Sequence, residues 1–129
     1  MKKRKIFLII IGIGVSAIIF LLFRNRCKKI NVSEKEIVGT YVMNYKQFTD
    51  TLIIKSNYTF YHSSYKKNKE HYIRNGTWRP TVEGYYELLN YSSATIINSW
   101  DMKPYKCEEN NIIYIEESYD GDEMYKKIY

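Results

Sequence analysis

His62 and His71 stand nine residues apart in a chain with no other histidine, and imidazole is the side chain best suited to hold a metal or move a proton near neutral pH. If a hairpin turned near Lys66 and Lys67, the two rings would face one another across paired strands, within reach of one ion. A metal needs further ligands, and Glu70 would alternate to the face opposite His71. Both are read as ordinary strand histidines. The acidic groups Glu108-Glu109, Glu116-Glu117 and 120–123 read as solvated turns, because nothing in the sequence pushes two carboxyl pKa values apart as an acid and base pair requires. Residues 119–123 lack the spacing of a calcium loop, and no Ser or Thr stands in a nucleophile motif. The expectation is a protein without catalytic residues, metal or cofactor.

Cys27 and Cys107 are too few for a disulfide scaffold and lack zinc-ligand spacing. Three states stay open: a bridge within the chain, two unpaired thiols, or a Cys27 bridge between two chains.

The elements that would position these residues begin with residues 6–23, which carry no charge and include fourteen Ile, Leu, Val or Phe. As a helix the run spans roughly 27 Å, close to the hydrocarbon thickness of a bilayer. Lys2, Lys3, Arg4 and Lys5 precede it, and Arg24, Arg26, Lys28 and Lys29 follow. It reads as one transmembrane signal anchor in contact with membrane lipid. A cleaved signal would have a shorter apolar core and small residues beyond it, and lipidation of Cys27 would want a small residue where Arg26 stands. A short basic tail stays inside more readily than a hundred-residue domain, so the domain is expected on the extracytoplasmic side of the cell membrane.

Eight of the twenty Lys and Arg, and none of the fourteen Asp and Glu, lie within residues 1–29. Twelve cations and fourteen anions remain beyond, so the overall charge of +6 belongs to the anchor. That balance gives no footprint for a phosphate backbone, and nucleic acid is excluded as a partner.

Beyond the anchor, short segments with period-two alternation follow one another at 37–44, 51–55, 58–65, 70–79, 85–91, 105–108, 112–116 and 123–128. Leu52 and Ile54 share one face, as do Tyr86 and Leu88. Ser56-Asn57, Pro80, Gly84 and Asp120-Gly121 mark turns. Residues 92–103 form the longest irregular stretch, with an apolar patch of Ala94, Ile96, Ile97 and Trp100. About eight strands in a domain this small avoid exposed edges by closing. The expected fold is all-β, an antiparallel up-and-down barrel, with a two-sheet sandwich as the alternative. The expected layout is 1–29 for the anchor, 30–36 for a linker and 37–129 for the barrel.

Gly39-Thr40-Tyr41, the stretch from Asp50 through Asn57, Thr59-Phe60, Gly76-Thr77-Trp78, Tyr86-Glu87-Leu88 and Tyr125-Lys126-Lys127 resemble the small lipocalin-like, calycin-type domains of Bacteroidetes-type envelope proteins. The resemblance covers nearly everything after Ile37 and implies a barrel at the envelope. It departs at the N-terminus, where a transmembrane run replaces a lipoprotein signal.

Two functions follow as expectations. In one, the barrel mouth takes a small apolar ligand, with Phe60, Trp78, Tyr86 and Trp100 as candidate wall residues and 92–103 as a lid. In the other, the outer face engages an envelope protein as an interaction, inhibitor or accessory subunit. Large side chains along the barrel axis would favour the second. Within the anchor, Gly12 and Ser16 lie on one helix face with Gly14 and Ala17 beside them, a small-residue stripe suited to a homodimer. Cys27 would lie near that face and crosslink it.

Overall fold

In a computed structural model, residues 27–66, 69–92, 98–117 and 123–129 are described. The anchor run with Gly12 and Ser16, the patch of Ala94, Ile96 and Ile97, and the Asp120-Gly121 turn lie outside the described residues. Among those described, no helix is long and apolar enough to cross a membrane.

Among the described residues, ten strands form one antiparallel sheet: β1 (Lys29–Asn31), β2 (Gly39–Tyr45), β3 (Phe48–Ile54), β4 (Thr59–Lys66), β5 (Lys69–Pro80), β6 (Tyr86–Leu89), β7 (Ser99–Met102), β8 (Tyr105–Cys107), β9 (Ile113–Glu116) and β10 (Met124–Lys127). Their order is β1-β8-β9-β10-β2-β3-β4-β5-β6-β7. Strands β2 to β7 therefore run up and down in sequence, and β10 returns to β2. Alternation drives the elements: on β3, Asp50, Leu52 and Ile54 are buried, and on β4, Phe60, His62 and Ser64 are buried. Register places these inward triplets opposite one another as Asp50↔Ser64, Leu52↔His62 and Ile54↔Phe60.

The sheet is a curled half-barrel, and this corrects the closed eight-stranded barrel expected from sequence. Its outermost strands, β1 and β7, share no ladder. Yet β7 passes to β8 through only Lys103 and Pro104, at most ~11 Å of chain, so the sheet must curl nearly upon itself. Side chains fasten this seam where main-chain bonds do not: the Tyr86 hydroxyl donates to the Val32 carbonyl at 2.9 Å. A single sheet also replaces the two-sheet alternative. The two additional strands are β1, whose partner β8 is remote in sequence, and β7, which pairs with the preceding β6 out of the stretch expected to be irregular.

A one-turn helix, α1 (Glu34–Ile37), occupies the expected linker. The Glu36 carboxylate accepts from the Ser33 N–H at 3.0 Å and hydroxyl at 2.7 Å, the reciprocal half of a capping box. Lys106 pairs with Glu36 at 2.6 Å, and the Lys127 ammonium donates to the carbonyls of Glu36 and Val38. Ile37 is fully buried and its carbonyl accepts from the Tyr41 hydroxyl at 2.6 Å, so α1 is part of the core.

Cys27 and Cys107 form an intrachain disulfide. Of the three states the sequence left open, the bridge within the chain is the one observed. The Cys27 thiol that an interchain crosslink would need is therefore committed to Cys107. Lys28 and Lys29, read as membrane-flanking charges, pair with Glu108 and Glu116 at 2.7 and 2.8 Å.

Candidate functional site

The four expected wall residues all lie in the core. Phe60, Trp78, Tyr86 and Trp100 are 1%, 2%, 4% and 6% exposed. They fill the concave side of the sheet through ring contacts: Trp78 lies edge-on to Tyr86 at 5.9 Å, Phe60 meets Tyr91 at 6.1 Å, and Trp100 meets Tyr91 at 5.0 Å and Tyr125 at 6.0 Å. Offset and tilted pairs at these separations suit the ring quadrupoles. The Trp78 indole N–H donates to the Lys55 carbonyl at 2.8 Å, which satisfies its polar edge. Gly76 permits this packing, because a Cβ there would stand 2.6 Å from the Phe60 ring and closer still to the Leu89 carbonyl. Trp100 sits on β7 opposite Leu88 and so belongs to the sheet rather than to a lid.

A polar string threads the same interior. His62, fully buried on β4, stacks on Tyr91 with centroids 4.7 Å apart, and its Nε2 lies 3.2 Å from the Tyr125 hydroxyl. The Tyr125 and Tyr91 hydroxyls are 3.0 Å apart, and Tyr91 reaches Glu117 Oε1 at 3.0 Å. An ionised carboxylate only accepts, so Tyr91 donates to Glu117 and accepts from Tyr125. Tyr125 in turn accepts from His62 Nε2–H, which assigns the tautomer from the network. Burial, together with the nearby Tyr125 and Glu117, pushes the Tyr91 pKa far above the usual phenol range. Glu117, read from sequence as part of a solvated turn, is thus a terminus of this string.

Ser64 donates to Asp50 rather than to His62, and Asp50 Oδ2 is 3.6 Å from His62 Nε2, too long for a hydrogen bond. The order of contacts therefore departs from a Ser-His-Asp relay. Tyr91, Tyr125 and His62 are also fully buried, beyond the reach of a substrate. The register does not bring the two histidines face to face: His62 lies opposite Arg74, and His71 pairs with Tyr65 through the backbone. Cys27, Cys107 and Glu109 converge, but oxidised sulfurs supply no thiolate, so that cluster is not a metal centre.

Sequence reasoning missed both the Asp50–Ser64 pair and the string through Tyr125, Tyr91 and Glu117. A signal existed for Asp50 and Ser64, which alternate in step with Leu52, Ile54 and Phe60. Comparison with known protein families, curated proteins and solved structures finds no match to this chain.

Proposed function

We propose that this is a single-pass membrane protein whose half-barrel domain stands outside the cytoplasm and acts as a non-catalytic interaction or accessory module, engaging an envelope partner through its outer surface. The observation that carries this reading is the filled interior. Phe60, Trp78, Tyr86, Tyr91, Trp100 and Tyr125 occupy the concave side that a small apolar ligand would need, which favours the interaction reading over the ligand-binding one. The intrachain disulfide supports the compartment, since such bridges persist in oxidising surroundings.

Two measurements test this. Alkaline phosphatase and a cytoplasm-active reporter are each fused after Tyr129; phosphatase activity alone is expected, and activity of the cytoplasmic reporter alone overturns the topology. Native mass spectrometry of the full chain in detergent is expected to show no stoichiometric apolar small molecule. A retained one, released by Trp100→Ala, would return the interior to a binding role.

A further inference from the structure

A groove of about 360 Å³ opens at one end of the sheet, lined by Glu36, Lys106, Asn111, Ile112, Lys127 and Tyr129 among others. The register puts it beside the point where the chain enters the domain. Lys29 pairs with Cys107, the Asn111 N–H donates to the Cys107 carbonyl at 2.8 Å, and Cys107 is bonded to Cys27. Phe23, the last residue of the apolar run, is four residues before Cys27, or at most ~14 Å of extended chain. Read with the anchor, this is the end of the domain nearest the bilayer.

The groove combines a cation with an apolar rim. Lys106 already has a carboxylate partner in Glu36. The Lys127 ammonium donates to two neutral carbonyls, at 2.6 and 2.7 Å, and among the described residues no carboxylate lies within ion-pair distance of it. One N–H of the three remains for another acceptor. Burial lowers the Lys127 pKa, a cost that an anion in the groove would offset. At the rim, Ile128 is 46% and Tyr129 85% exposed, an aliphatic and an amphipathic side chain of the kind that rest among headgroups.

We propose that this groove seats the headgroup phosphate of an anionic phospholipid, with Lys127 as the phosphate contact and Ile128 and Tyr129 against the upper acyl region. The proposal rests on the reading of residues 6–23 as a membrane anchor. A seated headgroup would hold the domain at a defined tilt on the membrane and turn the opposite end of the half-barrel toward partners.

The test uses the full chain reconstituted in phosphatidylcholine nanodiscs, with phosphatidylglycerol introduced in steps and backbone amides followed by NMR. Saturable shifts confined to Asn111, Lys127 and Ile128 are expected. Lys127→Gln should weaken the apparent affinity about fivefold, equivalent to the ~1 kcal/mol of a basic residue near an anionic surface. Because Lys127 also supports α1, Ile128→Glu provides a second variant at the exposed rim with the same expected loss. Absent shifts, shifts centred on distant residues such as Ile73, or unaltered binding by both variants overturn the groove. Equal shifts from inorganic phosphate alone would make it a free-anion site and overturn the lipid assignment. Vesicle flotation reads the anchor separately: a chain that does not float overturns the anchor and the bilayer placement with it.

Discussion

The hydroxyl of Tyr86, on β6, donates to the carbonyl of Val32, just beyond β1, across the seam where the curled sheet has no main-chain ladder. Both residues are buried, at 4% and 3% exposure. Tyr86→Phe would leave that acceptor without its donor while keeping the ring, and should destabilise the domain by about 1–3 kcal/mol. Denaturant midpoints of the two proteins check this. An unchanged midpoint would mean that the seam is held by packing alone.

Trp78 contributes volume and one hydrogen bond, and the two can be separated. Trp78→Ala should cost about 3–5 kcal/mol as a large buried aromatic. Trp78→Phe, which retains most of the ring but loses the indole N–H to Lys55, should cost less than Trp78→Ala. Thermal unfolding measures both, and a Trp78→Phe protein as stable as the parent would refute the assigned hydrogen bond.

The Cys27–Cys107 bridge spans a sequence separation of 80 residues. Closing a loop of that length restricts the unfolded chain, and its removal should cost about 2–4 kcal/mol. Calorimetry with and without reductant gives the difference, and thiol titration of the unfolded, unreduced protein should find no free cysteine. Reactive thiols in that titration would contradict the bridge.

Acid should loosen α1. Hydrogen bonds from Lys106 and Ser33 hold the Glu36 carboxyl down at about 2, against an ordinary value of 4.5. A depressed carboxylate stabilises the fold above its unfolded pKa, and that contribution fades as pH falls from about 4.5 toward 2. Glu36→Gln should flatten this part of the stability profile. A profile as steep as that of the unsubstituted protein would show that Glu36 is not its source.

At the alkaline end the sign reverses. The Tyr91 phenol keeps its proton in the folded state well above the ordinary value of 10.0, whereas the unfolded chain releases it there. Stability is therefore intact below about 10 and declines as pH rises beyond it. Tyr91→Phe should lessen that decline while lowering stability at neutral pH. Tyrosinate absorbance followed with unfolding would show whether ionisation and loss of structure coincide. Full ionisation of every tyrosine in a still-folded domain would count against the buried string.

Much of the fold was legible along the chain. Leu52, Ile54, Tyr86 and Leu88 face inward as their period-two spacing indicates, and Trp78 beside Gly76 marks a close approach. Alternation is a property of neighbouring residues, so the chain carries it without reference to distant segments. The capping pair Ser33 and Glu36 was equally local, but α1 is a single turn within a stretch that otherwise reads as a linker.

What the tertiary structure decided is which remote segments meet. β1 becomes a strand because the distant segment Tyr105 to Cys107 supplies its partner. His62 meets Tyr125 rather than His71 because the β4–β5 register and the curl of the sheet, not sequence spacing, set its neighbours. Side-chain direction repeats every two residues and can be read from the chain. The closing of a ten-stranded curl depends on strand twist and on contacts such as Tyr86 to Val32, formed between residues that no local pattern links.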